Sequence, residues 1–230
     1  MSSINTIIFS LAGGILPALL WLWFWLKEDR LHPEPKSRII MVFIGGMVSV
    51  FIVLPLEKFI FTASLSSISL ITIILWAGIE EISKYIASYF TALKYKVADE
   101  PIDAVIYMIT IALGFSALEN TLFIFNLVDS GNFIQSIITG NSRFLGATLL
   151  HVASSAAIGV MIGLSYYKRP LVKKIFLLTG IALSVLLHTI FNLLIIKLEN
   201  DLFFVFAGVW VLIVLLIVLI EKIKKVNPQI

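Results

Sequence analysis

The sequence predicts an all-α polytopic membrane bundle of about seven transmembrane helices. Three observations carry that expectation. The 230 residues are 60% hydrophobic and 13% charged, with a mean hydropathy of +1.04, too apolar for an ordinary soluble domain. Seven apolar stretches are each long enough to cross a hydrocarbon core of about 30 Å. The basic residues also crowd into alternate loops.

The spans run over approximately 5–26, 39–56, 65–90, 102–128, 144–167, 172–196 and 202–220. The first has no basic region ahead of it and is too long for a signal peptide, so it reads as a retained span. The last two are joined by the short linker 197–201. Residues 129–143 are polar with a small apolar patch (Phe133, Ile134, Ile137, Ile138) and read as a loop or an interfacial helix. No repeat, low-complexity tract or soluble module interrupts the chain, which reads as one membrane domain over 1–230. Thirteen lysines and arginines fall in loops 27–38, 91–101 and 168–174 and in the tail, against Lys58, Arg143 and Lys197 on the other side. That bias places the N-terminus outside and the C-terminus in the cytoplasm. The net charge of +3 is therefore read as membrane orientation, with no nucleic-acid partner. The absence of cysteine removes disulfides, thiolate ligands and cysteine nucleophiles.

The third span carries the least expected residues, Glu80 and Glu81, with Lys84 one turn on. A charged side chain at the bilayer centre costs about 2.5–3.5 kcal/mol on insertion scales. Lys84 is spaced i,i+4 from Glu80 and i,i+3 from Glu81, so it can pair with either. The glutamates themselves point about 100° apart on a helix of 3.6 residues per turn, so they cannot share one task. Glu119 and Asn120 on span four, His151 on span five, and His188 and Asn192 on span six complete the intramembrane polar set. By helical rise, Glu80 lies about 16 Å, and Glu119 and His188 about 24 Å, from the cytoplasmic ends of their spans. Four helices can therefore deliver acids and imidazoles to one layer in the middle or outer half of the membrane, as a shared wet cavity requires.

Each element has a plainer reading. A single membrane histidine is commonly a packing residue, and an asparagine is interhelical glue. A lone Glu–Lys pair can be a neutralised structural pair. Asp99, Glu100 and Asp103 around Pro101 mark a helix start, where acids and proline are favoured. Glu57 and Lys58 mark a membrane boundary. Convergence of three carboxylates and two histidines on four consecutive helices is what favours a functional site.

The residues narrow the chemistry. No His-Glu-x-x-His zinc motif occurs. All five aspartates (Asp29, Asp99, Asp103, Asp129, Asp201) fall in loops or at span ends, which disfavours an aspartyl dyad. Gly114-Phe-Ser-Ala117 loosely resembles a nucleophile turn but lies in an apparently unbroken helix. Two options stay open: water activated by a glutamate base with a histidine or amide steadying the oxyanion, or a divalent metal such as zinc held by Glu119, His151 and His188. A proton-coupled transporter and a non-catalytic helix-binding scaffold are the rival classes, since intramembrane carboxylates also relay protons. No repeat supports the former.

At these residues the chain resembles the PrsW family of intramembrane proteases, a group related to the CAAX prenyl endopeptidases and bacteriocin-immunity proteins. The matching segments, in order, are Glu28-Asp-Arg-Leu-His-Pro-Glu-Pro35, Glu80-Glu-Ile-Ser-Lys84, Asp99-Glu-Pro-Ile-Asp103 followed by Gly114-Phe-Ser-Ala-Leu-Glu-Asn120, Arg143 with His151, Ser155 and Gly159, and His188-Thr-Ile-Phe-Asn192. Thr189 and Ala104 stand where the family commonly has glycine, and His32 where it has an acidic or aromatic residue. The resemblance implies endoproteolysis of a single-pass, anti-sigma-factor-like membrane substrate in a prokaryotic plasma membrane. It also implies Glu80 and Glu81 as the essential pair, Glu119, His151 and His188 as further site residues, and Lys84, Asn120, Asn192 and Arg143 as supporting ones.

Overall fold

A computed structural model describes residues 3–30, 32–64, 67–198 and 202–226. Among them the chain forms eight helices and no strand. Helix α1 is Ser3–Trp25 with a 3₁₀ turn at Leu26–Asp29, α2 is Lys36–Ala63, and α3 is Leu70–Ser88, ending in a π turn at Tyr89–Leu93. Then follow α4 (Asp103–Asp129), α5 (Phe133–Ser142), a π turn at Arg143–Ala147, α6 (Thr148–Leu164), α7 (Pro170–Lys197) and α8 (Leu202–Ile223). The linker residues 199–201 and the expected start of the third span at 65–66 lie outside the described residues.

Local chemistry explains the boundaries. Ser69 caps α3, its hydroxyl accepting from the Thr72 backbone N–H at 3.2 Å, which satisfies one of the orphan donors of a first turn. Pro170 sits in the first turn of α7, where a missing N–H removes nothing. Pro17 and Pro55 lie inside α1 and α2, a placement membrane helices tolerate. The segment 129–143 differs from a simple loop: α5, the π turn and α6 run on as one apolar helical stretch, Phe133–Leu164. No proline interrupts 133–164, so the helix starts about eleven residues before the expected span.

Helix α4 is the central post. Every residue from Asp103 to Leu118 is buried, and α1, α2, α3, α5 and α6 pack around it. An all-round buried helix shows no polar stripe, in keeping with its continuous Val/Ile/Met/Leu sequence. Between α2 and α4 the backbones nearly touch: a methyl added at Gly114 would overlap the Phe43 carbonyl, and one at Gly46 the Ile111 carbonyl. Small residues permit such crossings in lipid, where dispersion and close approach drive helix association. Exposed apolar side chains such as Ile8, Phe51, Ile71, Leu171 and Phe203 cover the outside.

Among the described residues six helical stretches are long and apolar enough to cross a membrane. The exception is α3, of 19 residues, which carries Glu80, Glu81 and Lys84. It turns these three inward, where they are buried, and Ile71, Leu75, Ile82 and Ile86 outward. The bundle thus buries a polar face and exposes an apolar one, the reverse of a soluble helix.

The α2–α4 crossing predicts that Gly114→Ala forces the two helices apart. The expected loss is about 1–3 kcal/mol, read as a lowered unfolding temperature of the detergent-solubilised protein, while Gly78→Ala, where an added methyl meets open space, leaves it unchanged.

Candidate active site

The site is built on the Glu81 carboxylate, whose residue is 0% exposed. Its Oε1 accepts from Lys84 Nζ at 2.7 Å, Ser154 Oγ at 3.0 Å and His188 Nδ1 at 2.8 Å. Its Oε2 accepts from Ser155 Oγ at 2.7 Å and Ser184 Oγ at 2.8 Å. Donors from α3, α6 and α7 therefore fill both oxygens. A buried carboxylate survives only when paired and hydrogen-bonded in this way.

Lys84 is equally enclosed. Its Nζ lies 2.9 Å from His151 Nδ1 and 3.6 Å from Glu80 Oε2, and 4.4 Å above the Phe115 ring. An ammonium only donates, so His151 Nδ1 accepts and the ring proton sits on Nε2, which donates to Glu119 Oε2 at 3.1 Å. The logic reverses at His188. A carboxylate only accepts, so Nδ1 carries a proton toward Glu81; in the neutral ring Nε2 is then the bare nitrogen, 3.8 Å from Glu80 Oε1. One buried acid and one buried base thereby fix opposite tautomers in two imidazoles whose ring centres are 5.1 Å apart.

Glu80 is different from its neighbour. It is 5% exposed, its Oε2 has no hydrogen-bond partner, and it lines a cavity of about 770 Å³. Glu119, His151, His188, Asn192 and Arg143 line the same cavity. The structure thus gathers the expected site residues around one cavity and the hydrogen-bonded cluster of Glu81, Lys84 and Asn120 behind it. Asn192 sits on the cavity wall a turn beyond His188, whose Nδ1 is engaged by Glu81. Glu119 is held by the Arg143 guanidinium, which also donates to Asn120 Oδ1. Asn120 Nδ2 in turn donates to Ser116 at 3.1 Å and to Thr148 at 3.0 Å. Ser116 is therefore a rivet between α4 and α6 inside an unbroken helix. Arg143 reaches Glu119 from the π turn ahead of α6. Eight α-helical residues would leave Arg143 about 80° away from His151; the wider i→i+5 turn takes up that offset.

Several side chains escaped the sequence reading. Ser184 lies four residues before His188, and Ser154 three after His151, so small hydroxyls one turn from each histidine were the available signal. Glu57 was assigned to the membrane boundary, yet it lines the cavity with Glu80.

The donors also fit a metal. Glu80, His151 and His188 each offer one ligand atom, and these atoms lie within 4.8 Å of one another. Two imidazoles and a carboxylate are a known catalytic zinc set. The Glu81 bond to His188 Nδ1 is the outer-shell contact that aims a ligating Nε2, and Glu80 Oε2 is a buried oxygen without a hydrogen bond, whereas His151 Nδ1 would have to give up Lys84 to become a ligand. The gathered trio contains Glu80 where Glu119 was expected, because Glu119 is already taken by Arg143 and His151.

Residues 34–220 match the model of the family described as PrsW family intramembrane metalloprotease. The chain belongs to this family. Among curated PrsW relatives, a protein named Protease PrsW from Halalkalibacterium halodurans is 27% identical over 221 residues, covering 94% of this chain and 96% of the relative. A Protease PrsW from Clostridioides difficile is 29% identical over 187 residues, covering 78% and 76%, and one from Bacillus subtilis is 25% identical over 154 residues, covering 66% and 65%. No solved structure matches the chain. PrsW membership makes it an intramembrane protease of the plasma membrane that acts on membrane proteins, and the family's description as metalloproteases agrees with a trio that could hold a metal.

The two glutamates should separate in stability. Glu81→Gln replaces an acceptor of several donors by an amide and leaves Lys84 underpaired, at an expected loss of about 3–5 kcal/mol. Glu80→Gln, which forgoes the 3.6 Å ion pair with Lys84 but no hydrogen bond at Oε2, should cost markedly less. Thermal unfolding in one detergent reads both.

Proposed function

We propose that this chain hydrolyses a peptide bond of a single-pass, anti-sigma-factor-like membrane protein, with Glu80 as the group that activates water. The observation that carries the reading is the contrast within the pair: Glu81 has both oxygens filled by hydrogen bonds, whereas Glu80 lines the cavity and keeps an oxygen without a hydrogen bond.

In this mechanism the Glu80 carboxylate accepts a proton from a cavity water as the water oxygen attacks the scissile carbonyl carbon. In its neutral form His188, with its proton on Nδ1 toward Glu81, accepts at Nε2 a hydrogen bond from the water's other hydrogen, which stays on that oxygen, and so aims a lone pair at the carbonyl. The Asn192 amide on the cavity wall is the neutral donor available to the oxyanion. Glu80 then returns its proton to the leaving amine as the C–N bond breaks, which completes the hydrolysis without a covalent enzyme intermediate. Glu119 and Arg143 neutralise one another beside His151 and hold that ring in place.

Glu80, His151 and His188 would also hold a zinc ion. Bound there, zinc would polarise the carbonyl and lower the pKa of its water. Glu80 would then be a ligand, and Glu57, a further carboxyl on the cavity wall that Arg143 does not engage, would be the proton acceptor. The cavity is bordered by Asn126, Gln135 and Leu202, which lie near the loops that the charge pattern places outside. This supports cleavage in the extracytoplasmic half of the substrate helix.

The test is incubation of the purified protein with single-pass peptides, read by mass spectrometry with and without a chelator. Native protein should cut once, in the outer half, and Glu80→Gln should slow cleavage by about 10²–10⁴-fold, the contribution of a positioned acid–base group. A Glu80→Gln, Glu81→Gln double variant with native activity refutes the assignment. Loss with 1,10-phenanthroline and recovery with zinc selects the metal-assisted form; cleavage that persists selects Glu80 as the base.

A further inference from the structure

The other end of α4 carries a second acidic cluster that the protease site does not use. Asp103 is the first residue of α4, Glu100 lies in the loop before it, and Asp29 ends the 3₁₀ turn after α1. Each offers a carboxylate oxygen, and the three oxygens lie within 4.8 Å of one another. Glu34, from the loop before α2, joins them: it shares a hydrogen bond with Asp103 and accepts from the Tyr107 hydroxyl.

A helix start explains part of this. The Glu100 backbone N–H donates to Asp103 Oδ2 at 2.6 Å, an ordinary first-turn arrangement favoured by the helix dipole. It does not explain Asp29. That residue comes from a different helix, is 5% exposed, and accepts from the Glu34 backbone N–H. Its Oδ2 is nevertheless buried with no hydrogen-bond partner. An unpaired buried carboxylate oxygen is expensive, and this one is placed among other carboxylates rather than beside a lysine or arginine. At the exposed rim His32 Nδ1 is 2.8 Å from Glu100 Oε1.

We propose that Asp29, Glu100 and Asp103, supported by Glu34, form a binding site for a hard divalent cation, Ca²⁺ or Mg²⁺, that fastens the α1–α2 connection to the start of α4. The donors are all oxygen, as such ions require, and oxygens bound to one Ca²⁺ at about 2.3–2.6 Å lie within about 5 Å of each other, the spread seen here. Glu100, half-exposed, provides the way in. The cluster lies about 24 Å along α4 from Glu119, by helical rise, so it is separate from the Glu80–His151–His188 trio. It also differs in kind, since imidazoles suit zinc and carboxylates suit calcium and magnesium.

The test uses the intact protein in a neutral detergent, stripped with EDTA and titrated with CaCl₂ or MgCl₂. Unfolding temperature should rise by about 5 °C or more at a hundredfold excess over Kd. Tb³⁺ should bind with luminescence sensitised through Tyr107 and be displaced by calcium. Asp29→Asn should abolish both responses, and Glu100→Gln, a half-exposed position that leaves folding intact, should weaken apparent affinity at least tenfold. Glu80→Gln should respond as the native chain does. If Asp29→Asn folds and still responds, or if Glu100→Gln titrates identically to the native protein, the site is refuted. The same holds if neither cation shifts the native chain.

Discussion

A single carboxylate placed where water cannot reach governs this architecture. Glu81 can exist as an anion inside the bundle only because Lys84, Ser154, Ser155, Ser184 and His188 all turn toward it. Those donors come from three helices, so the requirement to satisfy one anion fixes the relative rotation of α3, α6 and α7. Everything chemical at the site inherits that constraint. The His188 tautomer follows from it directly. The His151 tautomer follows at one remove, through Lys84.

Division of labour between adjacent residues is the second consequence. Consecutive helical positions diverge by about 100°, so a Glu-Glu pair on one helix cannot present both side chains to one cavity. One points into the seam between helices and becomes structure. The other faces the cavity and stays available. The same principle separates Glu119 from Asn120: the acid meets the cavity and Arg143, while the amide ties α4 to the base of α6. Intramembrane sites need this pairing because lipid supplies no hydrogen bonds, and a reactive group must stand beside a saturated one that holds it.

Much of this was legible in the chain. Long apolar runs located most of the helices, although α2 runs on to Ala63 and the stretch before α6 starts at Phe133, and charged or imidazole groups inside them were conspicuous because lipid penalises them. Glu80, Glu81, Lys84, Glu119, His151 and His188 therefore announced themselves. What was not legible had specific causes. Serines 154, 155 and 184 are common interhelical residues, and nothing local marks those that face an anion. Choosing between Glu80 and Glu81 required the rotation of α3, which its own sequence leaves open. Glu57 resembles any acid at a membrane edge until the cavity is seen to extend to it. The run from Phe133 was hidden by its polar residues, which line the cavity mouth rather than a loop, and a π turn carries no compositional signature. Asp103 was read as a helix start, which it is; its neighbour Asp29 is 74 positions away and met it only through folding.

The tie between α3, α6 and α7 also decides where this protein can yield. Parting any of those three would strip partners from a charge that has no solvent to turn to, so they move as a block. Other parts of the cavity wall, such as Leu54 on α2, Ile138 on α5 and Phe206 on α8, present apolar side chains, and hydrocarbon slides at little penalty in a hydrocarbon medium. A guest polypeptide entering sideways from the bilayer would therefore find its doorway among the greasy staves, opposite a polar hinge that never opens.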